Sequence, residues 1–484
     1  MKIRSMTALA LVLALTSAPV VAADLPAPQQ DFILNKVETD KAALGDTALA
    51  IWQFAELGYQ EEQSSARLQG DLRQAGFTIT TGVAGQPTAF VASFKNGEGP
   101  VIALLAEFDA LPGLSQAVAP VQQSLGAAGG HGCGHNLFGA ASAYAGIAVR
   151  EWMIANNIKG EVRVYGTPAE EGGSAKAFMV RDGLFNDVDI ALHWHPGSVN
   201  SASQGTTKAN VSGKFRFYGT AAHASGAPHL GRSALDGVEA MNDMVNLMRE
   251  HIPDGTRIHY AITDGGKAPN VVPAFAEVYY YVRDGNPQVV LDVLERVKKA
   301  AEGAALGTDT RVEFQQIGGV YSMMPNGTLM GVMDRALNRV GGISWTPEEI
   351  AFAAEIQKTL ETKPPLSSVD EIRPAELRFD GGGGSTDVSD VSWVVPTVGL
   401  STATFVPGSA GHSWQNTAAA GHSIGVKGAV VAAKSLALTA AELFISPDTI
   451  EAAKVELNER RGADFVYRPL VGDGAPQLDY RKAN

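Results

Sequence analysis

The residues best able to do chemistry are concentrated in one stretch, Gly130-His131-Gly132-Cys133-Gly134-His135-Asn136. Cys133 is the only cysteine in the 484 residues, so it has no partner for an internal disulfide. A thiolate and an imidazole two residues apart can meet one small, borderline-soft ion. The glycines let the backbone fold around such an ion without a side-chain clash. The bland alternative is a buried, inert thiol. His131 is a further candidate, in a supporting role. A second element, Thr167-Pro168-Ala169-Glu170-Glu171-Gly172-Gly173, sets two adjacent carboxylates after an apolar run and before glycines. Such a pair can divide the labour, one binding metal while the other takes and returns a proton. A third, His193-Trp194-His195-Pro196, puts two imidazoles two residues apart, which on a strand face the same side. A fourth, Gly411-His412-Ser413-Trp414, is weak by itself.

These segments are far apart in sequence, so a scaffold must bring them together. Residues 101–106 read as a buried strand, followed by a glycine-rich loop and an apolar helix over 137–155. Residues 161–165 and 188–195 read as further strands, and 31–58 as an amphipathic stretch. Strands alternating with helices predict a doubly wound α/β sheet. Ligands of such sheets bind outside the carboxyl ends of the strands. Asp109, Glu170, Glu171 and His195 fall at or just after those ends, which is the first structural argument that they share a site.

The segment 208–318 reads differently. Strand 211–218, helix 233–249, strands 257–263 and 276–282, helix 288–301 and strand 311–316 follow in turn. The order β-α-β-β-α-β is ferredoxin-like and complete in itself. It reads as an α+β domain inserted between catalytic segments 23–207 and 319–484. The return is expected to be loop-rich, with the glycine run Gly381–Gly384 before Ser385, Thr386 and Asp387, and a strand at 397–402. The run is either a flexible loop or a place where backbone approaches a ligand.

Hydrophobic residues at 45% and charged residues at 18% indicate a globular chain. A net charge of -13 argues against a nucleic-acid surface. Lys2 and Arg4, an apolar stretch over 7–21, and small residues at Val20 and Ala22 read as a signal peptide, 1–22. A periplasmic or secreted enzyme is therefore expected. The apolar run is short for a membrane span, and no other stretch reads as long enough.

Taken together, Ala106-Glu107-Phe108-Asp109-Ala110-Leu111-Pro112-Gly113 and the four elements above resemble, in order, the metal-dependent aminoacylase and glutamate-carboxypeptidase family (metallopeptidase family 20). The nearest resemblance is to its aminobenzoyl-glutamate hydrolase and indole-acetyl-amino-acid hydrolase branch. It spans nearly the whole chain after the signal, including Gly219-Thr220-Ala221-Ala222-His223-Ala224 and the tail Phe465-Val466-Tyr467-Arg468-Pro469-Leu470. The resemblance implies a di-metal hydrolase domain with an inserted dimerisation and lid domain. It implies that Cys133 bridges two divalent metal ions, with His135, Glu171, His195 and His412 as the other ligands. By the same resemblance Glu170 is the general base, and His223 stabilises the oxyanion in a neighbouring protomer's site, which makes the active unit a homodimer. Asn270 and Arg283 help to hold the substrate.

The implied activity is hydrolysis of the amide bond of N-acyl or N-aroyl amino acids. Cys133 favours zinc, while glutamate and histidine also accept manganese. His193 can take the place of His195, although a histidine directly before proline fits the branch better. Asn136 stands where many indole-acetyl relatives carry Asp, which points to the aminobenzoyl-glutamate side. A dipeptidase of the same family and a non-catalytic metal-containing binding protein of the same fold are the alternatives.

Overall fold

In the computed structural model, which describes residues 24–382 and 384–482, strand Val101–Glu107 is buried on both faces. The signal-peptide segment 1–22 lies outside the described residues. Ile102, Leu104 and Ala106 enter one core, with helices Ala27–Phe54, His135–Ala155 and Ser423–Phe444. Ala103 and Leu105 enter another, with Tyr165, Met179, Phe185 and Val391, beneath helices Ala175–Arg181 and Val388–Val394. Period-two alternation with both faces covered gives the continuous apolar run seen in the sequence.

The sheet has six strands, in the order Thr78–Thr81, Phe90–Lys95, Glu161–Thr167, Val101–Glu107, Ile190–Gly197, Thr397–Ala403. The last four are parallel, and the first two join antiparallel. The parallel four therefore end on one side, at Glu107, Thr167, Gly197 and Ala403.

A second, four-stranded antiparallel sheet runs Arg257–Asp264, Phe275–Asp284, Ala209–Tyr218, Arg311–Val320. Helices Ala234–Met248 and Pro287–Gly307 pack into its core. Both helices start on side-chain caps: Ser233 accepts from the Asp236 amide and Asn286 from the Gln288 amide. The connectivity is the ferredoxin-like one.

Two expectations need correction. The return is not loop-rich: it carries helices Gly327–Val340 and Pro347–Gln357, the second opened by a Thr346/Glu349 capping box. Dense glycine and proline on either side hide these helices in the sequence. Ser423–Phe444 is also long and apolar enough to cross a membrane. It is instead a core helix, packed on Ala27–Phe54 and His135–Ala155 with 83% of its apolar window buried. After the helix Pro447–Arg461 the chain turns back over the protein, where Tyr467 donates to Asp390 at 2.6 Å and Tyr321 donates to the Arg468 carbonyl at 2.8 Å.

Asn136 shows why an amide, and not a carboxylate, follows His135. Its Nδ2 donates to the Ala48 and Ala420 carbonyls, each at 3.1 Å, tying three helices together in a buried place. Asn136→Asp removes both donors and turns a carboxylate toward two carbonyl oxygens. It should destabilise the protein by about 3 kcal/mol or more, read as a lower urea midpoint. An unchanged midpoint would show that these bonds contribute nothing.

Candidate metal centre

Three loops at the ends of the parallel strands converge. Gly134 makes the first approach possible: its φ of +79° is left-handed, and a Cβ there would lie 2.8 Å from Pro196 Cβ. The helix His135–Ala155 thus begins against the His195-Pro196 strand end. Cys133 Sγ lies 3.4 Å from His195 Nε2. Cys133, His135 and His195 offer donor atoms within 4.8 Å of one another, and so do Cys133, Glu171 and His412. Cys133 belongs to both groups, so its sulfur can be shared by two ions. A third group of the same kind is Glu107, His135 and Glu170.

The donor set fits a cation on chemical grounds. Thiolate, imidazole and carboxylate together suit zinc and its neighbours. His135 Nε2, Glu107 Oε2 and Glu171 Oε1 are buried without an aligned hydrogen-bond partner. Yet the His135 and Glu107 atoms are only 3.1 Å apart. Atoms that converge without bonding one another are placed for an ion between them.

Neighbouring groups aim these side chains. His135 Nδ1 donates to Asp109 Oδ1 at 2.8 Å, and Asp109 Oδ2 accepts the Glu171 amide at 2.9 Å. His195 Nδ1 donates to the Pro196 carbonyl at 2.8 Å. In both rings Nε2 is left facing the cluster, as metal-ligating histidines require. Glu61, buried nearby, accepts the Ala169 amide at 2.8 Å and anchors the acidic turn. That turn is strained: Ala169 (φ 51°) and Ser174 (φ 58°) bracket it in left-handed conformations, and His412 (φ 56°) is left-handed too. Non-glycine residues reach such angles at a cost of order 1–3 kcal/mol, tolerated where function needs the geometry.

Electrostatics follow from this crowding. Burial opposes the Cys133 thiolate, but His135 and His195 beside it outweigh burial and bring its pKa well below the ordinary thiol range. Burial, with Glu107 and Glu171 close by, raises Glu170 well above the usual carboxylate range. His412 is pushed up to about 10 by Cys133 and then Glu171. Lys176 is wholly buried between Glu107 Oε1, at 2.7 Å, and Asp387 Oδ1, at 2.6 Å. Burial works against its charge, and the two carboxylates hold it protonated.

A cavity of about 410 Å³ is lined by Cys133, Glu170, Glu171, His195 and His412. Arg283 enters it from the second sheet, its guanidinium 5.1 Å above the Tyr281 ring. Gly384, Ser385, Thr386 and Asp387 also line it, so the end of the glycine run lies at the site. His193 stands apart from the donor groups, its ring against Gly399, where a Cβ would come within 2.4 Å. It shares a strand face with His195 but sits about 7 Å further from the strand end. Burial, then His195, lowers its pKa to about 3. His223 and Asn270 are exposed and outside this cavity of their own chain, linked to each other by the Ala224 amide donating to the Asn270 carbonyl at 3.1 Å. Sequence reasoning missed Lys176 and Arg481, and it assigned no role to Glu107 or Asp387. Lys176, in an otherwise apolar helix start, was the available signal.

A doubly wound sheet with this donor set at its strand ends is the arrangement of a metal-dependent enzyme that activates water. Residues 206–309 match the family model described as the peptidase dimerisation domain. The chain is 42% identical over 472 residues to one of the named subunits of the p-aminobenzoyl-glutamate hydrolase of Escherichia coli (strain K12), covering 92% of this chain and 98% of the relative. It is 28% identical to the Xaa-Arg dipeptidase of Mus musculus over 86% of this chain and 90% of that one. The chain belongs to the M20 family of metallopeptidases and amidohydrolases. The same fold occurs in the aminobenzoyl-glutamate utilization protein of Klebsiella pneumoniae (TM-score 0.58, 18% identity, 81% of this chain and 97% of that one). It occurs also in a dinuclear metal-binding M20 peptidase of Bacillus subtilis (TM-score 0.53, 18% identity, 83% and 98%).

The two adjacent glutamates should separate cleanly. Glu170→Gln should keep its metal and lose turnover by about a hundred- to ten-thousand-fold, the usual effect of removing a general base. Glu171→Gln and Cys133→Ser should lose metal as well as activity, because an amide or hydroxyl is a poor replacement for these ligands. Metal content of each purified variant decides the matter. Loss of metal in Glu170→Gln with retention in Glu171→Gln would reverse the two roles.

Proposed function

We propose that this chain cleaves the amide bond of N-acyl and N-aroyl amino acids, with aminobenzoyl-glutamate-like compounds as substrates. The observation that carries this reading is that one cavity is lined by Arg283, a reader of carboxylates, together with Glu170 and the shared thiolate of Cys133. When bound, two divalent ions, zinc or manganese, held by Cys133, His135 and His195 and by Cys133, Glu171 and His412, lower the pKa of a water and polarise the scissile carbonyl.

The chain's own residues supply the rest. Glu170, made more basic by burial and by Glu107, takes a proton from the attacking water and passes it to the leaving nitrogen. The amide and one water become a carboxylic acid and a free amino acid. Arg283 holds the carboxylate end, and Asn270, outside this cavity of its own chain, would join it only from a neighbouring protomer. His223 Nδ1 accepts the Ser225 and Gly226 amides at 3.2 and 3.0 Å. A neutral ring then carries its proton on Nε2, a donor suited to a developing oxyanion.

His223 is exposed and away from its own cavity, which supports service in a neighbouring protomer's site. The edge strand Arg257–Asp264 exposes Tyr260 and Ile262, and the adjacent helix exposes Met244 and Leu247. An apolar edge strand of this kind is an open template for pairing. A homodimer through segment 208–318 is the first reading. The second is pairing with a related chain, because two relatives from Escherichia coli (strain K12), 42% and 27% identical to this chain, are named as two different subunits of one hydrolase. Export to the periplasm rests on Lys2, Arg4 and the apolar stretch 7–21.

Metal-loaded protein should release p-aminobenzoate from p-aminobenzoyl-glutamate. Bound metal without turnover on any N-acyl amino acid or dipeptide would replace the enzyme with a binding protein. His223→Ala and Glu170→Gln should each be nearly inactive, and after exchange of protomers their mixture should recover about a quarter of wild-type activity. That figure follows from a closed two-fold dimer in which about half the dimers are mixed and each holds one intact site. Confirmed exchange without recovery removes His223 from the shared site.

A further inference from the structure

The cavity holds two guanidinium groups from distant parts of the chain. Arg283 comes from strand Phe275–Asp284, and Arg481 from the turns that follow helix Pro447–Arg461. Arg481 Nη2 donates to the Glu171 carbonyl at 2.5 Å, and Tyr480 Oη donates to the same oxygen at 3.1 Å. The guanidinium lies 5.0 Å from the Tyr480 ring centre, and Tyr480 packs edge-on against Tyr59, with ring centres 5.8 Å apart. Gln477 in the same tail contacts Gln315 of the second sheet. Arg481 is thus tethered to the backbone of a residue whose side chain belongs to the donor cluster.

Neither arginine pairs with a carboxylate among the described residues, and Arg283 Nε is buried without a hydrogen-bond partner. A half-buried guanidinium beside a cavity loses hydration that a bound anion restores. One carboxylate of an N-acyl amino acid falls to Arg283. A second cation at the same cavity matches a second carboxylate.

We propose that Arg481 is a specificity-determining residue that receives the side-chain carboxylate of the substrate, so that the enzyme selects amides of acidic amino acids over those with a single carboxylate. This rests on the amidohydrolase reading above and adds the tail to the substrate site. A purely structural role, bracing the Glu171 carbonyl, is the competing account.

The test compares p-aminobenzoyl-glutamate with p-aminobenzoyl-glutamine, which has the same shape but lacks the second charge. Wild-type holoenzyme should prefer the glutamate conjugate in kcat/KM. In Arg481→Ala the glutamate-over-glutamine ratio should fall about 100-fold, chiefly through KM, with metal content retained. Arg481→Lys, which keeps the charge but not the planar fork, should restore part of the ratio. Equal losses on both conjugates, with or without loss of metal, would leave the ratio intact and overturn the proposal in favour of a brace. A wild-type enzyme that cleaves both conjugates equally also overturns it while the amidohydrolase reading stands. A wild-type protein that cleaves neither these nor other N-acyl amino acids fails that reading first.

Discussion

An excess of buried negative charge at the strand ends is the constraint on which the site depends. Cys133, Glu107, Asp109, Glu170, Glu171 and Asp387 crowd one region, and Lys176 between Glu107 and Asp387 is its resident cation. Burying like charges together is unfavourable unless cations compensate. The fold answers in part with Lys176 and with imidazoles aimed through Asp109 and the Pro196 carbonyl. The remaining negative charge matches divalent ions, which is why the same residues read as ligands and as a strongly perturbed titrating cluster.

That arrangement has a cost in the backbone, and the surrounding packing bears it. The acidic turn between Ala169 and Ser174 is left-handed at both ends. It is held by Glu61 from one side and by Asp109 from another. Close approach of the glycine-rich loop is possible only without side chains: a Cβ at Gly130 would lie 1.9 Å from the Leu114 carbonyl oxygen. Strain and close packing here are the means by which three loops reach one sulfur atom.

Around this fixed centre the other side chains that line the cavity come from elsewhere. The second sheet contributes Arg283 and Tyr281, and the returning tail contributes Arg481. This division suits a family in which one chemistry serves several substrates. The donor cluster can stay constant while the second sheet and the tail vary.

Much of the scaffold was legible in the sequence because its signals are local. Apolar runs marked the four parallel strands, and period-two alternation with two amphipathic helices marked the ferredoxin-like domain. Glycines beside Cys133 and His135 and the paired Glu170 and Glu171 carry their chemistry in their spacing. The polar strand Thr78–Thr81 has no such run, and the helices after residue 326 are masked by neighbouring glycine and proline. Only the tertiary structure places His195, and not His193, among the donor atoms, because strand alternation treats them alike and the difference is distance to the strand end. Only it brought Lys176 to Glu107 and Asp387, and Arg481 to Glu171 across 310 residues of chain. Spacing reports what one segment can do, whereas the partners of a buried charge are set by which segments the fold packs against it.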